Sequence, residues 1–321
     1  MRSEGVPSAQ SARGSLAPSR PTAYCWEVRP IVVRASVAAS GLLALACSGS
    51  TSSYTSDADR GTTHAIVTVE RRDALGVSSV AQAKAFASFV RTPPEVDSAA
   101  VTRVTGLDLD LPEVGDCAVG SSNRDSMALS PLRRVELLAA GDVALETPSG
   151  RVELAPHAFP AVTDVVSGVV YTTRDRTAAL PAGEPYALSA GGGPFLSPLA
   201  VSAEAPPLLE AVALDGAALS AASAFSPRDS LLSWKAGAAR DLVYVKVAGS
   251  DSAQSAATCV FRDDAGRGLL PASVIPRSGP IQLSLHRLRS VALGSTPGDG
   301  IDVGELRFDF ELSTVVALVE P

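Results

Sequence analysis

The stretch Glu305-Leu306-Arg307-Phe308-Asp309-Phe310-Glu311-Leu312 decides the fold. Four large apolar side chains alternate strictly with four charged ones, a period of two that suits a strand with one wet and one dry face. Outward from it, strand-like runs recur at 65–69, 165–172, 186–189, 209–214, 231–234, 242–247, 257–261, 269–275 and 281–288. Gly occurs 26 times and Pro 23 times along the chain, so turn signals separate short strands throughout. No long helical periodicity appears, and nothing alternates strand with helix. The expectation is an all-β body of two β-sandwich domains, immunoglobulin-like in general texture, over 62–204 and 208–321. Ala205-Pro206-Pro207 is the linker candidate between them.

Finer expectations follow from local pattern. Leu107, Leu109 and Leu111 alternate with Asp108 and Asp110, which predicts a strand carrying two outward carboxylates. Residues 135–138 and 143–145 flank Ala140-Gly141-Asp142 and read as a hairpin, and Thr147-Pro148-Ser149-Gly150 turns a second hairpin into 152–154. Residues 76–90 are compatible with a short helix or with the lead into a strand.

Composition narrows the classes of function. Hydrophobicity is carried by Val, Leu and Ala, with aromatic residues at only 5%. The formal charge is −7, lysine occurs only at Lys84, Lys235 and Lys246, and the arginines form no basic stripe. Nucleic-acid phosphates are therefore not an expected partner.

Arg29 and Arg34 precede an uncharged run of small and apolar residues from Ala35 to Ala46, the n-region and h-region pattern of a secretory signal. A dozen residues are too few for a membrane-spanning helix, which needs about 20. The run ends Leu42-Leu43-Ala44-Leu45-Ala46-Cys47, which resembles the lipobox of bacterial lipoproteins, with Ala44 where that family most often has leucine. The resemblance covers residues 34–47. It implies that 1–46 are removed, that Cys47 is lipidated, and that Ser48 at the next position directs the product to the outer membrane. Residues 1–31 show no periodicity, and Val32 or Val33 offers an alternative start. Removal of 1–46 takes five Arg and two Glu with it and leaves the mature chain at about −10. Residues 47–61, rich in Ser and Thr, read as a polar tether that holds the body off a membrane.

Chemistry-bearing residues are sparse. Cys117 and Cys259 remain after processing, in a compartment that permits a disulfide; they can pair or stay as separate buried thiols. His64, His157 and His286 are far apart in sequence and make no zinc spacing. Asp263-Asp264 and Asp299-Gly300-Ile301-Asp302 are acidic turns, read as solvated carboxylates rather than calcium loops. Gly191-Gly192-Gly193-Pro194 lacks the lysine and helix start of a phosphate loop and reads as a mobile turn. No nucleophile motif such as Gly-x-Ser-x-Gly is present. No catalytic, metal or cofactor residue is assigned. The expected role is an envelope-anchored, non-catalytic lipoprotein that is structural, adhesive or protein-binding, with a surface protein or polysaccharide as partner. A secreted hydrolase and a carbohydrate-binding module are the alternatives. The first would need a histidine in a cleft beside a serine and a carboxylate, the second an exposed face carrying Trp234 and tyrosines such as Tyr171, Tyr186 and Tyr244.

Overall fold

The computed structural model describes residues 61–75, 81–93, 109–120, 135–159, 166–176, 179–226, 228–249, 256–294 and 300–319. The signal segment, Cys47 and the tether lie outside them, as do Leu107, Asp108 and Asp299. The described residues are nearly all β, with two short 3-10 turns at Asp263–Ala265 and Ala272–Val274.

In chain order the strands are β1 (Thr62–Ala74), β2 (Gln82–Thr92), β3 (Cys117–Val119), β4 (Val135–Leu137), β5 (Val143–Thr147) and β6 (Gly150–Phe159). They continue as β7 (Val166–Thr172), β8 (Pro185–Ala190), β9 (Leu199–Glu204), β10 (Ala213–Leu214), β11 (Ala217–Ala218) and β12 (Ala224–Phe225). The remainder are β13 (Ser230–Ser233), β14 (Leu242–Gly249), β15 (Ala257–Arg262), β16 (Arg267–Leu270), β17 (Ile281–Leu293) and β18 (Val303–Leu318).

One large mixed sheet runs in the order β3-β15-β14-β17-β18-β1-β2-β4-β7-β6-β5-β8-β9, and β12 pairs with the far end of β18. A smaller sheet runs β11-β10-β13-β16. At the centre β1 lies parallel to β18 over eleven register pairs, from His64 opposite Val303 to Ala74 opposite Ser313. Strands from both sides of residues 205–207 therefore belong to one hydrogen-bonded sheet.

The alternation over 305–312 does its expected work. Leu306, Phe308 and Phe310 are fully buried, and Phe308 meets Tyr186 edge-on with ring centroids 5.1 Å apart. A first apolar cluster gathers Val67, Val69, Phe89, Leu145, Leu188 and their neighbours around those side chains. A second, around Phe225, Val245, Leu283 and Leu285, lies under the smaller sheet.

Ala205-Pro206-Pro207 joins these regions as a packed crossing. Two arginines on the dry face of β17 hold it. Arg287 donates to the carbonyls of Pro207 (3.3 Å), Leu208 (2.9 Å) and Lys235 (2.8 Å) and to Asp263 Oδ1 (2.9 Å). Arg289 donates to Glu204 O at 2.8 Å and pairs with Asp241. Burying such charges is tolerable only because each meets a carboxylate and several carbonyls. Asp263 is consequently not the solvated turn carboxylate expected: it is fully buried, and burial pushes its carboxyl upward despite the opposing pull of Arg287.

Four local expectations need correction; of 269–275, only Leu269 and Leu270 are strand, and Ala272–Val274 form a 3-10 turn. Residues 109–111 are not a strand; Asp110 takes a left-handed φ of 48°, and Leu109 and Leu111 pack as a strap over Tyr244, Val260 and Leu288. Their apolar spacing reports contact with one patch rather than a pleat. The first hairpin is also absent. β4 pairs with β2 and β7 while β5 pairs with β6 and β8, so the Gly141-Asp142 turn carries the chain onward instead of back. Of 209–214, only Ala213–Leu214 is strand. The second hairpin is present, with Thr147 opposite Gly150. Of residues 76–90, compatible with a helix or with the lead into a strand, 82–90 belong to β2, whose Ala85, Ala87 and Phe89 enter the core.

Candidate functional site

Two arrangements of side chains invite a functional reading. The first lies on the outer face of the large sheet. Ser284 and His286 sit two residues apart on β17 and so share a face; Tyr244 is directly opposite His286 on β14, and Asp309 comes from β18. His286 Nε2 lies 3.2 Å from Ser284 Oγ, and its Nδ1 lies 2.8 Å from Asp309 Oδ1. Tyr244 stacks on the imidazole at 4.2 Å and donates its hydroxyl to Asp309 Oδ2 at 2.6 Å. Burial alone would raise the Asp309 carboxyl, but the bonds and charge from His286 and the bond from Tyr244 outweigh it and hold the group below the usual range. Burial, reinforced by Asp309, pushes the Tyr244 phenol far upward, so it stays protonated.

This Ser-His-Asp order has the connectivity of a nucleophilic triad but not its surroundings. β17 lies between β14 and β18, so the amides around Ser284 are spent in the two ladders and none is left to stabilise an oxyanion. Ser284 is only 8% exposed, and Leu109 and Leu111 cover the neighbouring patch. Cys117 and Cys259, opposite each other on β3 and β15, are joined by a disulfide with S–S 2.02 Å, and this bond pins the strap to the sheet edge. The array is a buried polar network that orders the outer face.

The second arrangement is an open cleft of about 750 Å³ beside the amino-terminal end of β1, lined by Thr63, Arg91, Asp302 and the 193–198 loop. Thr63 and Arg91 face each other across β1 and β2. Asp302, just before β18, accepts the Thr63 amide on Oδ2 at 2.7 Å and returns its own amide to Thr63 O at 3.0 Å. Arg91 is anchored to Glu136 through Nε (3.1 Å) and Nη2 (2.5 Å), and its guanidinium lies over the Phe195 ring, 4.2 Å from the centroid. Phe195 is 56% exposed. The loop that carries it needs glycine: a Cβ on Gly193 would stand 2.1 Å from Ala139 O. Behind the cleft, His64 is buried with Nδ1 unpartnered. Burial lowers its pKa, with Asp302 pulling the other way.

Sequence reasoning touches this cleft at two points, the Gly191–Gly193 run and the Asp302 turn, and assigns a site to neither. Arg91, Thr63 and Phe195 belong to no motif; only the pairing of β1 with β2 and β18 brings them together. Conversely, Trp234, Tyr171, Tyr186 and Tyr244, the aromatic platforms expected of a sugar-binding face, are all buried, Trp234 donating to Asp263 Oδ1 at 2.9 Å. His64, His157 and His286 stand on three different strands. Among the described residues no group of three or more His, Cys, Asp or Glu is placed to hold a metal ion.

Fold and site together define a disulfide-bonded, all-β body with a polar cleft at the end of β1 and a buried Ser284–His286–Asp309–Tyr244 network on its large sheet. No protein-family model and no curated protein matches the chain. Among solved structures it is similar to the Fcho1 Mu homology domain of Danio rerio, determined with a bound Eps15 peptide, at 12% identity and a TM-score of 0.26 over 81% of this chain and 98% of that one. A likeness that loose transfers neither fold nor function.

Proposed function

We propose that the protein is an envelope-anchored, non-catalytic lipoprotein that uses the Arg91–Phe195–Asp302 cleft to bind a partner at the cell surface. The observation that carries this reading is the composition of the cleft: an exposed aromatic, one donor-rich and one acceptor side chain line a volume suited to a ligand. The lipobox and tether supply the anchor, and a disulfide in the body fits an oxidising compartment.

Mass spectrometry of the protein from a bacterial membrane tests the anchor. The expected mature amino terminus is Cys47 carrying acyl mass, lost in Cys47→Ser; an unprocessed chain, or cleavage elsewhere without lipid, sinks the anchored reading. A hydrolase is the second reading, favoured by the Ser284–His286–Asp309 connectivity alone. A fluorophosphonate probe decides it: labelling of Ser284 that disappears in His286→Gln would replace the binding role with an enzymatic one, and an unlabelled Ser284 is the expected result.

A further inference from the structure

We infer that the cleft takes a neutral saccharide, an inference that rests on the binding role just proposed and deepens it. The first ground is charge. Arg91 is already neutralised by Glu136, and the buried His64 behind Asp302 has a lowered affinity for protons, so neither offsets the Asp302 carboxylate. The described walls therefore carry about one net negative charge, which repels phosphates, acidic peptides and uronic acids.

The second ground is hydrogen-bonding capacity. Arg91 spends Nε and Nη2 on Glu136, and Asp302 spends Oδ2 on the Thr63 amide; Nη1 and Oδ1 have no protein partner among the described residues. A planar donor and a planar acceptor lining one cleft suit a polyhydroxylated ligand, whose hydroxyls each give one hydrogen bond and take another. Both side chains are fixed by their other contacts, so little rotamer freedom is lost when a ligand arrives.

The third ground is the ring. Phe195 is held by the guanidinium on one side and remains more than half exposed, at the end of a loop whose glycines let the backbone pack against Ala139. A flat aromatic surface beside polar groups suits the carbon-bound hydrogens of a pyranose face, whereas a lipid chain would cover Arg91 Nη1 and Asp302 Oδ1 without giving either a hydrogen bond. The cleft's volume, about 750 Å³, accommodates a short oligosaccharide rather than a single ring.

The test is calorimetric titration of the full mature body, prepared with Cys47→Ser, using neutral trisaccharides of β-1,4-linked glucose and N-acetylglucosamine, a trigalacturonate, and an extended proline-containing peptide. The expected result is saccharide binding in the millimolar range or tighter, weakened about tenfold by Phe195→Ala, with trigalacturonate inert. Asp302→Asn, which retains an oxygen for the Thr63 amide, is expected to weaken neutral sugars less than Phe195→Ala and to admit the acidic one. Leu269→Ala, an exposed position on the smaller sheet, serves as the control and is expected to bind as wild type. Saccharide binding that is equal in wild type and Phe195→Ala, or absent from both, overturns the inference. If the peptide binds in its place and depends on Phe195, the saccharide assignment falls while the binding role stands; if neither ligand binds, both fall.

Discussion

Arg289 grips Asp241 with two parallel hydrogen bonds, Nε to Oδ1 at 2.7 Å and Nη2 to Oδ2 at 2.6 Å, with side-chain exposures of 4% and 0%. The third arm of the same guanidinium takes the carbonyl of Glu204, where the crossing out of β9 begins. Asp241→Ala would strand a buried cation, at an expected cost of about 3–5 kcal/mol, whereas removing both charges together is expected to cost much less. Urea unfolding of the single and double variants measures the difference. A single variant within about 1 kcal/mol of wild type would mean that water reaches the pair.

Gly237 faces the other buried pair. A Cβ there would stand 1.9 Å from Asp263 Oδ2, and Asp263 cannot swing away because Arg287 and Trp234 both hold its other oxygen. Gly237→Ala is therefore expected to destabilise the protein by about 1–3 kcal/mol, although alanine is a small and common residue. The thermal midpoint reports it, and an unchanged midpoint would show that the Asp263 side chain has room to move.

The Cys117–Cys259 disulfide closes a loop of 142 residues. In the chain-entropy account its removal costs about 5 kcal/mol. The paired substitution Cys117→Ser/Cys259→Ser is expected to lower the urea midpoint accordingly and to make residues 109–120 the first segment cut by a protease, since the short β3–β15 pairing and the packing of Leu109 and Leu111 then hold it without a covalent tie. Cleavage that begins elsewhere would show the strap to be self-sufficient.

Asp309 gives stability a sign with pH. Its folded pKa is depressed, so the stabilisation it brings is complete above the ordinary carboxylate range and is lost as pH falls through the lower folded value. Stability measured from pH 6 downward is expected to fall in wild type below about pH 4 and to fall less steeply in Asp309→Asn. At neutral pH that variant is expected to be weaker by about 1–3 kcal/mol, because the Tyr244 hydroxyl and the His286 ring each lose a charged acceptor. Parallel pH curves for the two proteins would assign the acid sensitivity to other groups.

How much of this was legible beforehand depends on whether local pattern or long-range pairing decides each feature. Glu305 to Leu312 announced both the strand and its dry face, because alternation on a half-buried strand is set residue by residue. The same rule misreads Leu109 and Leu111, which sit on one patch without a pleat. Gly141-Asp142 correctly marked a turn, yet a turn does not say which strands it joins. On β17 the dry stripe of Leu283 and Leu285 continues into Arg287 and Arg289, a pattern that makes sense only once Asp263 and Asp241, 24 and 48 residues away, are in place. The cleft was hidden for the same reason: Thr63 and Asp302 bond across 239 residues, and nothing near either one signals the other.

That last separation bears on how the protein reaches its folded state. β1 can pair early with β2, and β18 with β17, but the parallel pairing of β1 with β18 at the middle of the sheet has to wait until nearly the whole described body has been made. Folding of such a topology is slow and leaves unpaired edges exposed while it waits. The two strands that meet at the middle of the sheet lie at opposite ends of the described sequence, so the parallel pairing of β1 with β18 joins the two halves only after both have been made.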